Sequence, residues 1–246
     1  MTDSTSVIFP AAQAFVSGTL EMPENISTAY AENALAWSDF PVNTVLIIIA
    51  TLMMLISLRI FLNIAHLLLD SLTRWKACVN IDASVQLKGD RNTLAFIITL
   101  PIALVADRYG LLRAGILDRI PDAWSSPVTL GIILLWLLVK YLAFYFCLLR
   151  APRPETFRTA HTSFFNFWIL AGLLMVLTAG IIGFTGIPDE AGRRILLYEL
   201  AVMYLLAILC KRQILRSYCG PLTTFLYLCA LEFIPTGALI AGCILL

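Results

Sequence analysis

The stretch 128–149, VTLGIILLWLLVKYLAFYFCLL, runs for 22 residues with a single charge, Lys140. About 20 apolar residues in helical form cross a bilayer core of roughly 30 Å, and a helix satisfies its own backbone where no water can. Outward from it, comparable stretches lie at 42–66, 93–112, 163–187, 194–212 and 222–245. The pattern predicts an all-α polytopic membrane protein of about six transmembrane helices at 42–246, preceded by an acidic extracytoplasmic tail at 1–41. The second stretch is the least apolar. Only Leu94 to Ala106 is free of charge there, so Asp107 and Arg108 must sit at a membrane face or turn toward protein.

Composition agrees, since 60% of the 246 residues are hydrophobic and only 13% are charged, far from an ordinary soluble domain. The net charge of +1 conceals an asymmetry along the chain. Arg59, Arg74, Lys76, Lys88 and Arg91, then Arg150, Arg153 and Arg158, then Lys211, Arg212 and Arg216 belong to the first, third and fifth connections. These eleven basic residues mark the cytoplasmic side. The other connections hold five, Arg108, Arg113, Arg119, Arg193 and Arg194, beside Asp107, Asp118, Asp122, Asp189 and Glu190. Both termini are therefore expected outside.

The first 41 residues contain no Lys or Arg, carry Asp3, Glu21, Glu24, Glu32 and Asp39, and show no signal-peptide core. Three prolines there favour partial disorder, and Asn25-Ile26-Ser27 is a formal glycosylation sequon. Leu111, Leu112, Ile116 and Ile120 are spaced for a surface helix over 109–120, with a packed loop as the alternative. The six cysteines contain no C-x-x-C pair.

Charge inside the spans is the chief chemical signal. Lys140 lies nine residues from the inner end of its span, about 14 Å deep, and Glu232 is ten residues into the last span, about 15 Å deep. Comparable depth lets the two meet. Intramembrane ions usually pair inside the bundle, so the pair is read either as a lock between helices or as part of an ion, proton or counter-ion site. Glu199, near the outer end of the fifth span, is expected beside Arg193 or Arg194. Pro235, three residues after Glu232, removes a backbone donor and predicts a kink beside the acid. His66 and His161 at inner span ends have the residue type for bis-histidine haem ligation, but read as interfacial histidines.

No H-E-x-x-H, phosphate loop, G-x-G-x-x-G or G-x-S-x-G occurs. No cofactor, metal or nucleic acid is expected. Small residues four apart, Ala179 with Gly183, Gly237 with Ala241 and Ala238 with Gly242, mark close helix contacts within the chain or between subunits. Three spans followed by three also permit an inverted repeat, although the connections differ in length and no residue pattern recurs.

The string Thr224-Phe225-Leu226-Tyr227-Leu228-Cys229-Ala230-Leu231-Glu232-Phe233-Ile234-Pro235 resembles the C-terminal signature of a multi-pass inner-membrane family of the Bacteroidota, a domain-of-unknown-function family. Arg91, Leu137 to Tyr141, and Lys211, Arg212 and Arg216 extend the likeness over the chain from Arg91 onward. The tail is more acidic than the family pattern. The resemblance implies a protein of the Gram-negative inner membrane, with Arg91, Lys140, Lys211 and Glu232 on family positions, and no established activity. From the residues, the expected role is an integral subunit or scaffold of an envelope membrane-protein complex, with the lipid bilayer and a membrane-protein partner or homo-oligomer around it. The alternative is a small proton- or solute-coupled transporter using Glu232. A third reading is an intramembrane enzyme drawing on Tyr141, Lys140 and Glu232.

Overall fold

The computed structural model describes Trp37 and residues 40–73, 84–112, 121–149, 154–217 and 219–245. The acidic tail up to residue 36, with its sequon, and the loop 113–120 lie outside the described residues. Among those described, every regular element is helical: α1 (Pro41–Thr73), α2 (Val85–Arg108), α3 (Asp122–Leu149), α4 (Pro154–Thr185), α5 (Asp189–Arg216), α6 (Pro221–Leu228) and α7 (Ile234–Leu245). A π-helical turn, Cys229–Phe233, joins α6 to α7, so these form one continuous sixth span. The chain is an all-α, multi-pass membrane protein.

Local chemistry sets the helix ends. The Ser84 hydroxyl accepts the Leu87 N–H at the start of α2. Pro221 occupies the first turn of α6, where its missing N–H costs nothing. Gly186, at φ +67°, turns the chain after α4, and Asp189 and Glu190 then open α5 against the positive end of its dipole.

Among the described residues, five helices are long and apolar enough to cross a membrane: α1, α2, α3, α4 and the α6–α7 span. The expected fifth span, α5, does not meet that measure alone, because any 18 consecutive residues of it include at least three charges from its ends, Glu199 and Lys211. It nevertheless packs along α4 more extensively than any other two helices meet, and its buried stripe is Leu196, Met203, Ala207, Cys210, Lys211 and Ile214. Most helices also run beyond the expected limits: α1 to Thr73, α2 back to Val85, α3 back to Asp122, α4 back to Pro154. The expected 109–120 helix does not begin as one, since Tyr109–Leu112 form a turn and a bend after α2.

The centre is α2 packed on α4, where Gly172 lets the backbones approach; a Cβ there would stand 2.5 Å from Ile98 Cγ1. α1 and α3 flank α2, and the sixth span lies against α3 and α5. Nearest the basic end, a second apolar cluster joins Phe144, Phe157, Ala207, Ile214, Tyr227 and Leu231.

Candidate functional site

The site is built on the weak point of the sixth span. Pro235 cannot donate a main-chain hydrogen bond, and the helix takes up the defect one turn earlier as a π turn, in which the Ile234 N–H reaches back to the Cys229 carbonyl. The predicted disturbance is thus a π turn that contains Glu232 itself. Its main-chain carbonyl accepts a hydrogen bond from Tyr204 Oη of α5 at 2.9 Å, and Tyr204 also bonds Thr236 Oγ1 at 3.0 Å.

The Glu232 carboxylate, 2% exposed, accepts from Lys140 Nζ of α3 at 2.6 Å through Oε2. Oε1 accepts from Lys211 Nζ of α5. One carboxylate therefore ties three helices, and two cations share it. Rings spread the excess positive charge: Lys140 Nζ lies 4.0 Å from the Phe164 centroid and 4.7 Å from that of Trp136, and Lys211 Nζ lies 4.9 Å from Phe164. Such faces attract a desolvated ammonium by about 0.5–2 kcal/mol each. On the side of this triad away from the basic end lies a cavity of about 390 Å³, walled almost wholly by apolar side chains, including Trp136, Phe164, Tyr204 and Met175.

Lys140 and Glu232 thus meet as expected, and Lys211 joins them. Lys211, at the end of the expected fifth span and counted among the basic residues of the connection after it, is carried inside the bundle, 1% exposed, because α5 continues to Arg216. Its position was legible in the spacing. It follows Tyr204 by seven residues on one helix face, whereas Arg212 lies off that stripe and is exposed. Arg91 is likewise no loop residue: it lies in α2, fully buried, with its guanidinium 3.1 Å from Asn92 Oδ1.

Tyr141 departs from the reading that set it beside Lys140 and Glu232 as an acid or base. It is 57% exposed on the membrane-facing side of α3, and Tyr204 is the tyrosine at Glu232. His161 is buried and stacked on Phe144 at 4.0 Å, while His66 is exposed. Glu199 is half-buried and faces Thr178 of α4.

A second polar knot closes the end of the bundle opposite the basic one. Asp107, 2% exposed, turns into the protein and accepts hydrogen bonds from Trp37 Nε1 (2.7 Å), Ser126 (2.6 Å), Ser125 (2.9 Å) and Thr129 (3.4 Å). Trp37, assigned to the tail, is thereby part of the bundle, and Asn43 holds its carbonyl at 2.9 Å. Arg108 points outward to Asp189 of α5 at 3.5 Å. Just past α2, Tyr109 donates to the Ala179 carbonyl at 3.3 Å, and burial raises its phenol above the ordinary value.

The glycines of the small-residue pairs carry no close helix approach among the described residues. Added Cβ atoms at Gly180, Gly183, Gly237 and Gly242 would meet nothing within 4 Å, whereas Gly172 carries the close helix approach. Comparison with known proteins finds no matching family model, no matching curated protein and no matching solved structure.

Proposed function

We propose that the chain is an integral subunit or scaffold of a membrane-protein complex, its bundle locked by Lys140, Glu232 and Lys211. One observation carries this reading: the only carboxylate of the triad is held by two lysines on two other helices. A carrier site needs water and a partner that changes during the cycle. Here both carboxylate oxygens are engaged, and the adjoining cavity is apolar. The open space beside Gly180 and Gly183 of α4 and Gly237 and Gly242 of α7 agrees with helices of a partner or second copy packing from outside.

The reading includes six crossings. α5 follows α4 after a short turn and has its most extensive packing against it, and its charges are either toward its ends or turned inward. Arg91 and Lys211 now lie within the bundle, yet the basic excess still falls at one end, which we assign to the cytoplasm of a bacterial inner membrane, with both termini outside. In sealed spheroplasts Cys219 should resist an impermeant thiol reagent until the membrane is opened. Labelling beforehand would reverse the orientation.

Copurification from native membranes tests the role. A stoichiometric membrane-protein partner or stable homo-oligomer, lost on Glu232→Gln, is the expected result. The transporter reading keeps one favourable observation, because π turns recur at functional sites and this one contains Glu232. Glu232-dependent acidification of vesicles by the purified chain alone would replace the scaffold reading with that one.

A further inference from the structure

A groove of about 680 Å³ opens between α2, α3 and α4 at the basic end of the bundle. Lys88 and Arg158 line its mouth, and no acidic side chain lines it among the described residues. Below the mouth the walls become aromatic and aliphatic, with Tyr145, Tyr141, Phe96 and Leu134 among them. From Lys88 to Thr99, from Tyr145 to Leu134 and from Arg158 to Trp168 the lining rises ten or eleven residue steps along each helix, about 15–17 Å, with Leu148 a turn further toward the basic end. That is half of the roughly 30 Å hydrocarbon core, the depth of one leaflet.

The groove is open sideways. Tyr141 and Phe96 are 57% and 69% exposed, so bilayer chains have direct access to it. Lys88 and Arg158 are also placed at the N-terminal ends of α2 and α4, where helix dipoles add positive potential. Neither cation forms an ion pair among the described residues.

We propose that this groove binds one anionic phospholipid of the adjacent leaflet, with its phosphate between Lys88 and Arg158 and one acyl chain along Tyr145, Tyr141 and Leu134. Charge selects the head group, and length and apolarity fit the chain. The site does not depend on the scaffold reading. Only the name of the leaflet, cytoplasmic, rests on the orientation assigned above.

Native mass spectrometry of the full chain, released from bilayers of phosphatidylglycerol and phosphatidylcholine with identical acyl chains, tests this directly. The expected result is one phosphatidylglycerol retained in preference. A basic residue near a membrane surface contributes about 1 kcal/mol, so Lys88→Gln or Arg158→Gln should each reduce the preference about fivefold and the double variant about 25-fold. Arg158 is exposed and Lys88 partly so, and an unchanged unfolding midpoint would show that the variants fold. Leu134→Trp, which fills the groove and leaves the cations, should also reduce retention. Equal retention of the two lipids, or a preference that survives the double variant, would overturn the proposal. So would displacement by glycerol phosphate at the same concentration, which would make this a phosphate site in which the chain has no part.

Discussion

Glu232 and Asp107 are buried equally, each 2% exposed, and the protein stabilises them by different means. Glu232, within the sixth span, is met by two ammonium groups from two helices. Asp107, at the end of α2 away from the basic end of the bundle, has four neutral donors among its partners, three of them hydroxyls on the first two turns of α3 and the fourth an indole N–H from before α1. The difference follows from depth. Near the interface, hydroxyls and an N-terminal helix dipole can solvate a carboxylate, whereas in the middle of the membrane an ion requires counter-charge. The first arrangement joins α3, α5 and the sixth span through charge, and the second joins α2 to α3 through hydrogen bonds.

The two acids should therefore respond unequally to neutralisation. Glu232→Gln leaves two lysines facing each other in an apolar interior, and unfolding measured in lipid bicelles should show a loss of about 3–5 kcal/mol. Asp107→Asn keeps an acceptor for the hydroxyls and strands no cation from the four donors named, so about 1.5–3 kcal/mol is expected. Equal losses would remove the distinction between the two ends. Between them, Gly172→Ala should cost about 1–3 kcal/mol through overpacking against Ile98 and Ile102, and Gly180→Ala should be neutral within about 0.5 kcal/mol. Smallest are the single neutral donors: Trp37→Phe at Asp107 and Tyr204→Phe at the Glu232 carbonyl should each cost about 1 kcal/mol. A much larger loss for Tyr204→Phe would show that the π turn, rather than the charges, holds the sixth span.

Apolar length made α1, α3 and α4 legible, because lipid contact selects the same residues wherever the helix sits. It did not reveal where they sit. The first helix is the most apolar in sequence and the most peripheral, with 11% of its core window buried, while the weakly apolar α2 is 56% buried at the centre. In a bilayer the outside is the more apolar surface, so a central helix is free to carry Arg91, Thr99 and Asp107. The Lys140–Glu232 pairing was accessible from depth and sign alone. Lys211 falls at the inner edge of the expected fifth span, and its pairing with Glu232 was hidden by proximity to Arg212 and Arg216, although its helical register with Tyr204 and Ile214 faces inward. The Asp107 knot depends on Trp37, 70 residues away, and no local pattern announces a contact at that separation.

The central claim is that Lys140 is stabilising because Glu232 is there. Unfolding free energies in bicelles for the wild type, Lys140→Met, Glu232→Gln and the double variant isolate that dependence. Lys140→Met should cost about 1–3 kcal/mol in the wild type, where Lys211 still neutralises the acid. In the Glu232→Gln background the same substitution should reverse sign and stabilise, because it removes one of two uncompensated cations. The same cost in both backgrounds would contradict the account.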